Sequence, residues 1–285
     1  MKEIKNETFS QERALYNSSF LRVISCKFEG KEDGESAIKE SKNIFVEDCF
    51  FDLRYPLWHD ERVEISNSTF SINARAAIWY SNYVVINNST LDGIKAIREC
   101  KHINISNSTI NSDEFGWNSS NVKIINTVFD GQYHFLMNQK VDAKFSKFLG
   151  KYAFQYLKNG NFEKCEFNSK DLFWHAENVI IRNSVINSEY LGRYSKNLTF
   201  IDCILIGEQP LCYAKDVKLV NCKMVNANLA FEYSSVDATI DGDILSIKNP
   251  ISGTIRANRI KDIIINKDSI LKSRVKIYLE GKKHK

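Results

Sequence analysis

The residues best equipped for chemistry in this chain recur at a nearly constant interval. From Glu40 to His59, from His59 to Tyr80 and from Tyr80 to Glu99 the steps are 19, 21 and 19, with Arg98 just before the last of them. A carboxylate beside a histidine orients the ring and favours its charged form, as acid–base sites require. His175, between Tyr156 and Tyr194 at the same spacing, is a lesser candidate. Such groups meet only if the backbone returns to the same place at every step of this period.

The apolar residues say that it does. Phe28, Phe51, Phe70, Leu91, Ile110, Phe129, Phe148, Phe167, Ile186, Leu205 and Met224 form a column, whose first intervals are 23, 19 and 21 and whose later ones are all 19. Thirteen residues earlier a second column runs through Ile38, Leu57, Ile78 and Ile97 to Leu211, and Ala230 extends it to a twelfth copy. Between the columns, pairs such as Ile44/Val46, Val63/Ile65 and Val84/Ile86 alternate with other residues, the period of a half-buried strand. One such coil cannot bury its apolar face alone and must stack on its neighbours. The pattern predicts an all-β chain: a single-stranded right-handed parallel β-helix (solenoid) of about 12 coils, mostly on a period of 19. A leucine-rich repeat would show another frame, and hexapeptide coils would run in sixes.

Asn makes up 28 of the 285 residues, while Gly (12) and Pro (3) are scarce. Three residues before the column of bulky residues stand Asp48, Asn67, Asn88, Asn107, Asn126, Asn183, Asp202 and Asn221. Asn tolerates left-handed backbone, so it turns each coil without Gly, and stacked amides bond along the column. The open ends of a solenoid need covering. Residues 1–12 are expected as an N-terminal cap, 13–240 as the β-helix, and 241–285 as a C-terminal cap whose last five residues are loose.

One column stands out. Twelve residues before the bulky position come Tyr16, Lys39, Trp58, Trp79, Arg98, Trp117, Leu136, Gln155, Trp174, Arg193, Cys212 and Phe231, which include all four Trp. The next position gives Asn17, Glu40, His59, Tyr80, Glu99, Asn118, Met137, Tyr156, His175, Tyr194, Tyr213 and Glu232. Strict alternation would bury this second row, at a cost for so many polar groups. A bend is therefore expected that leaves both rows at the surface. Lys39, Trp58, Trp79, Trp117, Trp174, Tyr194 and Tyr213 then form an aromatic and charged platform, fit for sugar rings and for anionic groups. Two other readings stand beside a ligand site. The run Lys39–Trp58–Trp79–Arg98–Trp117 fits a self-stacking cation–π ladder, and Trp, Tyr and Arg also make interface hot spots.

If the platform does chemistry, Glu40, His59, Tyr80, Arg98 and Glu99 are the residues to carry it. Against a glycosidase pair, Glu40 and Glu99 are three coils apart, roughly 14 Å by strand spacing, beyond the ~5–9.5 Å such pairs keep. The seven Cys include no CxxC. Five of them (26, 49, 165, 203 and 222) alternate with Ser and Thr two residues before a bulky residue, a small inward slot rather than a metal site. No Asp cluster in register or Gly-rich phosphate loop is present, so neither metal nor cofactor is expected. A net charge of +4 is too mild for nucleic acid, and no apolar run reaches membrane-span length. The N-terminal stretch Met1 to Leu15 lacks an apolar signal core, which with the cysteines predicts the cytoplasm.

The strings Gly34-Glu35-Ser36-Ala37-Ile38-Lys39-Glu40-Ser41, Arg54-Tyr55-Pro56-Leu57-Trp58-His59 and Ala74-Arg75-Ala76-Ala77-Ile78-Trp79-Tyr80 carry a resemblance. So do Glu189-Tyr190-Leu191-Gly192, Leu211-Cys212-Tyr213 and Leu229-Ala230-Phe231-Glu232-Tyr233-Ser234. Over essentially its whole length the chain resembles an uncharacterised bacterial β-helix family, a domain of unknown function related in shape to pectate lyases. Some of its members are labelled hydrogenase, for which these cysteines offer no paired ligands. The resemblance implies the fold and brings no catalytic residues. The sequence thus leads to a protein that binds or processes a carbohydrate-like ligand along the platform. The alternative is a non-catalytic scaffold whose platform meets a protein or a second copy of itself.

Overall fold

The computed structural model describes residues 1–30 and 34–280; Lys31, Glu32 and Asp33 and the expected loose tail from Gly281 onward lie outside them. The chain is an all-β right-handed parallel β-helix of about 14 turns, about 19 residues apart. A strand followed by a crossover and a parallel strand takes the right-handed path almost without exception. The chain divides into two compact units, Met1–Lys147 and Phe148–Lys285.

In the first unit, strands of equal length stack in parallel register: Ser19–Ile24, Lys42–Glu47, Glu61–Ser66, Asn82–Asn87, Lys101–Ser106, Ser120–Ile125 and Gln139–Lys144. Each is followed by a short strand, such as Phe50–Phe51, Thr69–Phe70 or Thr90–Leu91, on a second sheet. A third, narrow sheet holds Leu57–Trp58, Ile78–Trp79 and Ile97–Arg98. The three sheets enclose the apolar columns, in which Phe28, Phe51 and Phe70 are fully buried. Their rings stack in file at 4.5 and 4.4 Å. The second unit repeats the plan with Lys158–Glu163, Glu177–Arg182, Lys196–Ile201, Val217–Val225 and Ser235–Ile240.

The corner residues explain the asparagines. Asn67, Asn88, Asn107 and Asn126 all hold φ between 48° and 52°, the left-handed conformation that Asn tolerates better than other non-Gly residues. The Asn88 amide donates to Asn67 Oδ1 at 2.6 Å, and that of Asn126 to Asn107 Oδ1 at 2.9 Å. The turn after each corner is fixed by the slot residue. The Ser68 hydroxyl donates to the Ser66 carbonyl at 2.8 Å and accepts the Cys49 backbone N–H at 3.0 Å. Ser, Thr and Cys can each fill that place, which is why they interchange.

Pairing extends beyond the twelve coils counted in the sequence. Lys2–Lys5 pairs with Ser19–Ile24, so part of the expected N-terminal cap is itself a strand of the stack. Past residue 240, Ser252–Ala257 pairs with Ser235–Ile240, and Asp243–Lys248 with Arg259–Ile264. Here the coils are shorter, with Ser235 opposite Ser252 and Asp243 opposite Arg259, and the columns read from the sequence lose step.

Candidate functional site

The bend expected between the two platform rows is made by the second row itself. Glu40, His59, Tyr80, Glu99 and Asn118 all hold φ between 50° and 59°. The left-handed residue breaks the alternation, so the first row is half-buried and the second exposed.

In the first unit the inner row is a ladder. Trp58 and Trp79 stack at 5.0 Å, 4° from parallel. The Arg98 guanidinium lies between indoles, 4.8 Å from Trp79 and 4.6 Å from Trp117, and the Lys39 ammonium is 6.0 Å from Trp58. Every indole edge is pinned one coil on: the N–H groups of Trp58, Trp79 and Trp117 donate to the carbonyls of Ala76, Lys95 and Tyr133 at 2.6, 2.7 and 2.7 Å. Arg98 is anchored by Glu114 at 3.0 Å, a partner that the column pattern did not reveal because it sits in the variable turn. These contacts use the indole faces along the stack and hold the N–H edges on the backbone.

The outer row carries its own stack. His59 and Tyr80 are parallel within 15° at 4.8 Å, and Tyr80 stands edge-on to both Trp58 and Trp79. Glu40 precedes this pair and Glu99 follows it. The Tyr16 hydroxyl donates to Glu40 at 2.6 Å, which raises its pKa above the ordinary phenol value. Glu40 is thus committed to Tyr16, and no hydrogen bond joins it to His59 among the described residues. Arg98 stands in the inner ladder, between Trp79 and Trp117.

The second unit holds a separate stretch of platform. Tyr156, His175, Tyr194 and Tyr213 stack in file at 4.8, 5.2 and 5.1 Å. Arg193 lies 5.4 Å from Tyr194 and 5.1 Å from Tyr213, and the Trp174 N–H donates to the Tyr190 carbonyl at 2.9 Å. Here the inner row leaves the surface: Cys212 and Phe231, expected on the platform, are buried. Tyr213 is correspondingly only half-exposed.

Beneath the first unit's platform runs a file of small polar groups that the columns did not single out. The backbone N–H groups of Ser18, Ser41, Asp60, Ser81 and Cys100 donate in turn to the side chains of Ser41, Asp60, Ser81, Cys100 and Ser119. Asp60 occupies a serine's place. It is 2% exposed, one oxygen has no partner among the described residues, and burial pushes its carboxyl up to about 8. Among the described residues, no group of three His, Cys, Asp or Glu is placed to hold a metal.

A right-handed β-helix bearing an aromatic–cationic ladder defines the class of this protein. The chain belongs to the family described as protein of unknown function (DUF3737), whose model matches residues 2–278. No curated protein matches it. Among solved structures it is similar to PfbA, a surface adhesin of Streptococcus pneumoniae, at 13% identity and TM-score 0.40, covering 83% of this chain and 77% of that one. It is also similar to the Yersinia enterocolitica family 28 exopolygalacturonase, at 10% identity and TM-score 0.30, covering 98% and 73%. A third is the tailspike of E. coli bacteriophage HK620, in complex with a hexasaccharide, at 10% identity and TM-score 0.31, covering 93% and 60%. Among the described residues no helix is long and apolar enough to cross a membrane.

Proposed function

We propose that the protein is a binding protein for a saccharide or saccharide-like ligand, held along the platform of the first unit. The observation that carries this reading is the pre-ordered outer row: Glu40 held by Tyr16 and the His59–Tyr80 stack, beside a ladder in which Trp58, Trp79 and Trp117 are each pinned, with Glu99 exposed next in the row. A surface whose rotamers are already fixed loses little entropy on binding. Sugar hydroxyls suit the carboxylates and ring edges of this row, and Trp58, Trp79 and Trp117 act as its wall. In the second unit Trp174, Tyr194 and Tyr213 have the same character.

Binding is favoured over acid–base chemistry because the Glu40–His59 contact that such chemistry needs is replaced by Glu40–Tyr16 and His59–Tyr80. A glycan array with the full chain, followed by calorimetry of any hit with Glu40→Gln and Tyr80→Ala, tests the proposal. Loss of affinity by tenfold or more in both variants supports it. Unchanged affinity in both refutes it. A concentration-dependent dimer that Tyr80→Ala abolishes, with no glycan bound, favours the scaffold reading instead, in which the exposed tyrosines serve as interface hot spots.

A further inference from the structure

The outer face of the long-strand sheet in the first unit carries a second feature, away from the platform. Eight residues before each bulky core position the backbone is again left-handed. In the second unit Asn159, Asn178 and Asn197 fill this place, and their amides bond in file at 3.2 and 2.8 Å. The fold therefore asks only for Asn here. In the first unit Asn43 and Asn121 fill it too, but Phe20, Arg62, Tyr83, His102 and Lys140 hold the same conformation, at φ between 51° and 59°, although larger side chains adopt it at a cost of roughly 1–2 kcal/mol.

Except for Phe20, these residues line a trough. A cavity of about 420 Å³ crosses four strands between two files of side chains, one running Tyr83, His102, Asn121 and Lys140, the other Val85, Asn104, Lys123 and Asp142. A second cavity of about 300 Å³ continues it past Tyr83 and Val85 to Arg62. Such volumes fall within the range of small-molecule sites. Tyr83 and His102 stack at 4.6 Å, and the imidazole is oriented. The Asn82 amide donates to Glu61 at 3.3 Å, which turns its oxygen to accept from His102 Nδ1 at 2.9 Å. The proton is thereby placed on Nδ1, and Nε2 is left without a partner among the described residues. Lys123 and Lys140 form no ion pair among the described residues. Asp142, in register with Lys123, pairs with neither.

We propose that this trough is a second ligand site, taking a small molecule with a phosphate or carboxylate group on a ring body. The anion lies between Lys123 and Lys140, and the ring rests against Val85 and the edges of Tyr83 and His102. Two lysines and two side-chain amides are a donor set for an oxyanion, the unprotonated Nε2 of His102 accepts from a hydroxyl on the ring body, and Val85 and the aromatic edges have nothing to offer a bare ion. The site does not depend on the platform's function, because it shares no residue with it.

Calorimetric titration of the full chain with glucose 6-phosphate, glucuronate, glucose and inorganic phosphate tests the proposal. At least one of the two anionic sugars should bind, tenfold or more tightly than glucose and than inorganic phosphate. Whichever binds better names the anion. The double variant Lys123→Gln/Lys140→Gln should weaken binding at least tenfold, and Asp142→Asn should strengthen it several-fold by removing the opposing charge. Glu40→Gln, on the platform, should leave it unchanged. Equal binding of glucose, inorganic phosphate as tight as the sugar anions, no binding by any of the four, or an unaffected lysine double variant would each overturn the proposal. Loss of binding in Glu40→Gln would overturn it too, by moving the ligand to the platform.

Discussion

Trp58 and Trp79 stand 5.0 Å apart and 4° from parallel, so each indole takes up one face of the other. The next face of Trp79 is covered by Arg98 at 4.8 Å, and its N–H is held by the Lys95 carbonyl at 2.7 Å. Trp79 is thus a structural rung before it is anything else. Trp79→Ala should destabilise the chain by ~2–3 kcal/mol, less than the ~3–5 kcal/mol of a fully buried aromatic because the ring is only half-buried. Trp79→Phe keeps the stack and loses the hydrogen bond, a cost of ~1 kcal/mol. Urea unfolding of the two variants measures both. Equal losses would mean that the N–H bond, not the stack, holds the ladder.

The ladder shows how much the sequence discloses. Trp58, Trp79, Arg98 and Trp117 could be placed in one column because a solenoid turns chain position into a lattice, and the buried Phe file at 28, 51 and 70 set the origin of that lattice. What stayed hidden were contacts that cross between columns. The pinning of each indole by a carbonyl in the next variable turn has no sequence signature, since any residue supplies a carbonyl. Glu114 and the Tyr83–His102 stack escaped for a related reason: their positions look like ordinary polar surface until the left-handed corner at 83 and 102 is seen to match the Asn file at 159, 178 and 197. Asp60, flanked by His59 and Glu61, reads as surface for the same reason.

The cysteines should be silent. All seven are free and buried, and burial pushes the thiols of Cys49, Cys100 and Cys212 up to about 11, 12 and 11. A thiol reacts as its thiolate, which is scarce at neutral pH when the pKa stands this high. Burial also keeps the reagent from the other four, so the native chain should show less than one reactive thiol with a disulfide reagent at pH 8, against seven in denaturant. One thiol titrating rapidly in the folded state would contradict the buried placement of the cysteines.

Asp60 and His134 should give the first unit opposite pH dependences. The carboxyl of Asp60 is raised by burial from 3.8 to about 8. Its folded form holds a proton that the unfolded form releases, so stability is full below about 3.8 and falls as pH rises toward 8, by up to ~1.4 kcal/mol per pH unit. Asp60→Asn should remove this loss, and Asp60→Ser should restore the residue found at 41 and 81 in the same file. A scan of unfolding free energy from pH 6.5 to 8 should fall for the native chain and run flat for both variants. A parallel fall in all three would show that another group titrates.

His134 supplies the opposing slope. It is fully buried, its Nε2–H donates to the Ser112 carbonyl at 3.1 Å, and Nδ1 has no partner among the described residues. Burial lowers its pKa from 6.5 to about 4, so the folded imidazole stays neutral where the unfolded one is charged. Its contribution is full above 6.5 and is lost as pH falls toward 4, again by up to ~1.4 kcal/mol per unit. Between pH 4 and 6.5 the two groups therefore nearly cancel in the native chain, and each variant uncovers the other's slope. Asp60→Asn should lose stability on acidification from 6.5 to 4, and His134→Gln should gain it over the same interval. The double variant should be flat across the whole range, and a double variant that kept either slope would assign that slope elsewhere.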